Sequence, residues 1–177
     1  MEQLVRDGFV EGVLDVTTTE WADELVGGVL SAGPHRLEAA GEKGVPQVIS
    51  VGALDMVTFG APETVPDKFR GRLFYPHNPN VTLMRTTPEE NRELGHILAQ
   101  KAGAAKGPVT IVLPLRGVSA IDAEGKPFHD PEADRALFDA IRSHVRENVK
   151  LVELDLHIND PAFSARLAEE YLAFTAP

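Results

Sequence analysis

Short, unbroken apolar runs recur along the chain, and each empties into a polar turn. The clearest is Val109-Thr110-Ile111-Val112-Leu113, followed by Pro114-Leu115-Arg116-Gly117-Val118-Ser119. An apolar, β-branched run without alternation predicts a strand buried on both faces. Pro114 has no amide hydrogen for a ladder, so the strand is expected to stop there. Gly12 to Val16, Pro46 to Val51 and Leu151 to Leu156 read as further strands, and Leu73 to Tyr75 as a short one ended by Pro76. Val81 to Arg85 reads as an edge strand or a loop.

Between these runs the apolar spacing becomes helical. Thr87-Pro88-Glu89-Glu90 has the hydroxyl, proline and acid of a helix start, leading into Leu94, Ile97, Leu98 and Lys101 before Gly103 and Gly107. Asp130-Pro131 opens a helix through Leu137, Phe138 and Ile141 to about Arg146, and Asp160-Pro161 caps a last one carrying Phe163, Leu167 and Tyr171. Thr17 with Glu20 has capping-box spacing for a helix toward Val26, and Arg36 to Ala40 reads as a short helix closed by Gly41. Met1, Leu4 and Val5 look like the tail of a helix ended by Gly8, which suggests a fragment of something longer. Phe59 to Arg72 is a loop without periodicity, and such loops commonly serve as lids or partner surfaces. Asp122 to Lys126 reads as a surface turn. Strand and helix alternate throughout. The expected fold is therefore α/β: one Rossmann-like, three-layer domain over residues 1–177, with a mostly parallel sheet of about five strands.

Charge and composition narrow the partners. The 27 acids against 17 bases leave a net charge of −10, which repels phosphate backbones and argues against nucleic acid. Lys68-Phe69-Arg70-Gly71-Arg72 is a local basic exception, either a solvated loop or an anion or partner contact. With no cysteine there is no disulfide or thiolate metal site. No apolar run approaches the ~20 residues of a membrane span, so the expectation is a cytoplasmic chain without membrane contact.

A parallel sheet points its strand ends one way, so their polar turns should share a rim. Asp15, Thr17, Thr18 and Thr19; Ser50, Gly52 and Asp55; His77 and Asn78; Arg116, Gly117 and Ser119; and His157 and Asn159 are the candidate ligand-binding residues. Hydroxyls, backbone N–H groups and a guanidinium suit a small anionic ligand, and the threonine run can act as helix cap, anion cradle or both. Asp15 and Asp55 either bond turn amides or orient a ligand. His77, His157 and Asp55 are the candidate acid–base groups, although lone turn histidines are often hydrogen-bonding struts. The other histidines, His35, His96, His129 and His144, look like surface residues. A metal site from His77, His157 and an aspartate lacks paired-ligand spacing, so no metal ligand is expected.

Several motifs in order carry a resemblance over nearly the whole chain. They are Ser50-Val51-Gly52-Ala53-Leu54-Asp55-Met56-Val57, His77-Asn78 with Leu83-Met84-Arg85-Thr86-Thr87, Gly117-Val118-Ser119-Ala120-Ile121-Asp122-Ala123, Asp130-Pro131-Glu132-Ala133 and His157-Ile158-Asn159-Asp160. Together they resemble the carboxyl-terminal half of the tomato mosaic virus resistance protein-like family of ATP-binding proteins. Thr58 stands where relatives are expected to have asparagine, and Asp155 falls where the pattern is loose and is left out of the site. The resemblance implies two Rossmann-like halves, with the main ATP cradle on an amino-terminal domain that precedes this chain. It leaves Mg²⁺ open as a companion ion, and a plant member binds and inhibits a viral replication protein. The expected function is a ligand-binding second domain, closing its rim over a nucleotide or an anionic co-substrate. Its expected partners are the amino-terminal domain and a second copy of itself in a homo-oligomer. Two rivals stand: an enzyme acting on a small carboxylate or carbonyl compound by His/Asp acid–base chemistry, and a protein-interaction or inhibitor module contacting through Phe59 to Arg72. Whether the protein is an enzyme stays open.

Overall fold

The computed structural model describes residues 1–175. Four strands, β1 (Val13–Thr17), β2 (Gln47–Gly52), β6 (Val109–Pro114) and β7 (Val149–Leu154), pair in parallel in the order β1-β2-β6-β7. The central pair, β2 and β6, is buried along its whole length, while β1 and β7 carry exposed positions. Unbroken apolar runs thus mark the strands covered on both faces.

The register Ile49↔Ile111 and Val48↔Thr110 sorts the side chains into two layers. Ile49, Val51, Val109, Ile111 and Leu113 pack against three helices, α2 (Glu20–Val26), α4 (Pro88–Gly103) and α5 (Pro131–His144). Val48, Val112 and Val152 face Phe163 and Leu167 of α6 (Pro161–Thr175) on the other side. Two short helices, α1 (Glu2–Arg6) and α3 (Ala39–Lys43), bury Val5, Ala39 and Ala40 against Val13 at the β1 edge.

The parallel strands number four rather than five, because the segment between β2 and α4 folds separately. There β3 (Met56–Phe59), β4 (Phe74–Asn78) and β5 (Val81–Arg85) form an antiparallel sheet in the order β3-β5-β4. Val81 to Arg85 is therefore the central strand of this sheet, not an edge. Pro76 is tolerated in β4 because β4 is an edge. The Phe59 to Arg72 stretch is folded down through two short 3₁₀ turns, with Phe69 buried 5.2 Å from the Phe59 ring. Its cations are engaged locally: Arg70 with Asp67, Arg72 with Glu90, and Lys68 over Phe69.

The helix starts at Thr87 and Asp130 behave as their residue types require. Thr87 and Glu90 close a complete capping box, and Asp130 accepts from Glu132 and Ala133 N–H. Elsewhere the local signals mislead. The Thr17/Glu20 box does not form, since α2 begins one residue after Thr19 without a side-chain cap. Gly41 lies inside α3, which ends at Gly44 in the left-handed region. The last strand stops at Leu154, two residues early, and the Asp160 carboxylate turns back to His157 N–H rather than onto α6.

Candidate functional site

The carboxyl ends of β1, β2, β6 and β7 do line one rim, but the strand order never reverses. The sheet therefore lacks the switch-point crevice where doubly wound sheets hold ligands. Backbone geometry shapes the rim instead. Gly52 passes so close to β1 that an added Cβ would meet Val16 O at 2.5 Å. Ala53 then takes a positive φ of 58°, held by its N–H on Val118 O at 2.9 Å. That costs roughly 1–3 kcal/mol of local strain and persists only where the surroundings enforce it. Gly117, at φ 128°, lies where a Cβ would meet Asp122 O at 1.8 Å. These two turns bring the ends of β2 and β6 together.

Asp55, Ser119 and His157 meet there as expected. Ser119 Oγ donates to Asp55 Oδ2 at 2.7 Å, and the Ser119 carbonyl lies 2.9 Å from His157 Nε2. His157 Nδ1 accepts from Asn159 N–H at 3.1 Å, which assigns the ring proton to Nε2. Both ring nitrogens are thus tied to backbone, so His157 is a strut across the rim.

The other candidates divide into several groups. Thr18 and Ser50 are fully buried, and their hydroxyls donate to Ser50 O and Val112 O. Thr19 Oγ1 reaches Met56 O only at 3.5 Å, and Thr17 and Asn159 are exposed. No open anion cradle results, and α2 is a helix of only seven residues. Asp15 makes a buried two-pronged pair with Arg36 at 2.6 Å, on the β1 side away from Asp55. Arg116 leaves the core as expected, but its fork is engaged by Asp155 at 2.7 Å, the residue omitted from the sequence reading. His77 and Asn78 are not at the rim. They lie exposed at the β4–β5 hairpin, where Asn78↔Val81 pair, at the far end of that sheet from Met56↔Arg85. Sequence order suggested a shared rim because it could not show that β4 belongs to a second sheet.

Three buried charged side chains escaped the sequence reading. Asp122, read as part of a surface turn, is fully buried and accepts Val118 N–H at 2.9 Å. Arg85, 4% exposed, donates to Asp134 Oδ1 at 2.6 Å and lies 3.7 Å from Asp122 Oδ1. With Asp55 they form a group of three carboxyls around one guanidinium. Burial, chiefly, pushes the Asp55 carboxyl up to about 6, against the Ser119 hydrogen bond and the Arg85 charge. Burial and the Asp122 charge likewise push Asp134 up to about 7. Among the described residues no group of three or more His, Asp or Glu is placed to hold a metal ion.

Asp134 also forms part of the wall of a cleft of about 800 Å³ between the β6 turn, α5 and the loop after β7. Arg116, Arg135 and Arg142 line it, with His157 and Asp160 opposite α5. Arg142 is paired with Asp139 and Glu153, whereas Arg135 has no hydrogen bond or ion pair among the described residues.

Fold and rim together define the class: a Rossmann-like α/β domain whose strand ends open onto a charged cleft. The chain belongs to the uncharacterised protein family UPF0261, whose C-terminal domain matches residues 1–175. It is 53% identical to a UPF0261 protein of Clostridium tetani over 173 residues, covering 97% of this chain and 43% of that protein. A UPF0261 protein of Mesorhizobium japonicum is 51% identical over 170 residues, 95% of this chain and 43% of that protein. The ToMV resistance protein Tm-1(GCR237) of Solanum lycopersicum is 46% identical over 174 residues, 97% of this chain but 23% of that protein. The chain thus spans less than half the length of these relatives. No helix among the described residues is long and apolar enough to cross a membrane.

Proposed function

We propose that this chain is the ligand-binding second domain of an ATP-binding protein, and that the cleft beside α5 takes the anionic part of its ligand. One observation carries the reading: a cleft of about 800 Å³ at the ends of β6 and β7 holds three arginines, of which Arg135 is unpaired. A free guanidinium presents a planar fork that matches a phosphate or carboxylate. The main ATP cradle, with any Mg²⁺, belongs in this reading to an amino-terminal half. The long remainder of the relatives supports that division. Isolated, the chain should therefore hold ATP weakly.

Acid–base catalysis by histidine is less well supported, because His157 is tied to backbone and His77 sits on the far hairpin. The test is calorimetric titration of a full-length family member with ATP and with inorganic phosphate. The substitution equivalent to Arg135→Ala should weaken anion binding tenfold to a hundredfold, matching roughly 1.5–3 kcal/mol for a charged hydrogen bond. Thermal unfolding should stay unchanged. Equal affinity in wild type and variant would move the ligand elsewhere.

A further inference from the structure

We propose that the cleft binds its anion together with a proton, carried by Asp134. This rests on reading the cleft as the anion site. Asp134 lies in the first turn of α5, with its side chain 11% exposed at the cleft wall. Behind it the interior is closed and overfull of carboxylate. Asp55, Asp122 and Asp134 share one guanidinium, so full ionisation would leave two uncompensated negative charges out of water. Arg85 cannot serve all three, since it also donates to Phe128 O at 2.8 Å and to Thr86 Oγ1 at 3.1 Å. Asp55 Oδ1 and Asp122 Oδ1 are sealed from solvent with no hydrogen-bond partner.

A cluster of this kind retains a proton, because isolated buried charge is very costly. Of the three carboxyls, Asp134 alone lines the cleft, so it is the one that exchanges a proton with solvent there. Burial, with the charges of Asp122 and Asp55, pushes Asp134 toward its acid form, while Arg85 pulls against them. Around the cleft, His157 is tied to backbone, Arg116 to Asp155 and Arg142 to Asp139 and Glu153. Asp160 and Glu124 add negative charge, and His129 lines the exposed side. Arg135, exposed on the same helix, is screened by water. An entering anion adds negative charge beside Asp134 and strengthens its hold on the proton. The acid O–H can then donate to an anion oxygen while Arg135 supplies the charge. The ligand class is an oxyanion or carboxylate that arrives fully ionised.

Sulfate is a suitable probe, because it carries no titrating proton near neutrality. Binding is followed by calorimetry on the purified chain in two buffers of different ionisation enthalpy. Sulfate affinity should fall roughly tenfold between about pH 6 and about pH 8, with proton uptake on binding. Asp134→Asn should abolish both the slope and the uptake, whereas His129→Gln, at the exposed cleft histidine, should leave them intact. A slope that survives in Asp134→Asn, or equal affinity at both pH values, overturns the proton coupling and leaves the anion cleft standing. Absence of sulfate binding at every pH overturns both. If Asp134→Asn does not fold, carbon-detected NMR of the wild-type carboxyl decides: its midpoint should rise when sulfate is added, and an unmoved midpoint refutes the coupling.

Discussion

Asp55 stands at the first residue position after the strained Ala53 turn where a side chain meets the buried cluster, and its titration has a consequence for stability. Its carboxyl is raised to about 6, so the native state holds a proton that the unfolded chain gives up near about pH 4. Between those values the folded chain binds more protons, and stability declines as pH rises through the window, then levels off. Asp55→Asn keeps an acceptor for Ser119 and cannot ionise. It is expected to remove this part of the decline, roughly 2–3 kcal/mol, so that its stability relative to wild type grows with pH. Urea unfolding of both proteins from about pH 4 to about pH 8 checks this; parallel curves would refute it. Asp134 extends the same decline toward about 7 in wild type, and less far in Asp55→Asn, which lacks the Asp55 charge that helps to raise it.

Among the elements, α4 and α5 make the most extensive helix contact, and Gly95 lies at its centre of close approach. A Cβ there would lie 2.6 Å from Leu137 O and 2.8 Å from Ala140 Cβ. Two effects compete in Gly95→Ala. Helix propensity favours alanine by about 1 kcal/mol, whereas overpacking costs about 1–3 kcal/mol. The clash is with main chain, which cannot rotate away, so the steric effect should win. Gly95→Ala is expected to lower stability and to shift α5, and with it Asp134 and Arg135, away from the rim. Denaturant midpoints together with the sulfate titration would show both losses. A stabilised variant would mean that the helices separate freely.

For the molecule as a whole, several exposed apolar residues lie in and just before β1. Phe9, Met1 and Leu14 are 77%, 60% and 42% exposed. Met1 and Leu14 share one groove of about 580 Å³ with Ala32. An edge strand with apolar neighbours invites a partner, and the long remainder of the relatives makes their amino-terminal half the candidate occupant. In a full-length relative, the equivalent of Phe9→Ser with Leu14→Lys should leave the unfolding of this half within about 0.5 kcal/mol per site, as ordinary surface changes do. It should also hasten proteolytic separation of the halves. Unaltered cleavage would place that contact elsewhere.

Some features of this protein follow from sequence alone, because their causes are local. The central strands show as unbroken apolar runs, since burial on both faces leaves no polar position at Val48 to Val51 except Ser50, which bonds Val112 O. The starts of α4 and α5 show because Thr87 and Asp130 satisfy nearby amides within a few residues. Arg116 shows as a surface group because Pro114 ends its strand. The resemblance stretches even contain Arg85 and Asp122, although nothing in their spacing tells that both face inward. What tertiary structure decided is pairing between distant segments. Only folding sends Met56 to Arg85 into a second sheet and so carries His77 away from the rim. Only folding gives Arg116 an Asp155, closes both nitrogens of His157 on backbone, and gathers Asp55, Asp122 and Asp134 around one guanidinium. Charge proximity across 79 positions of chain, from Asp55 to Asp134, leaves no mark on local pattern, because its energy depends on distance through the fold.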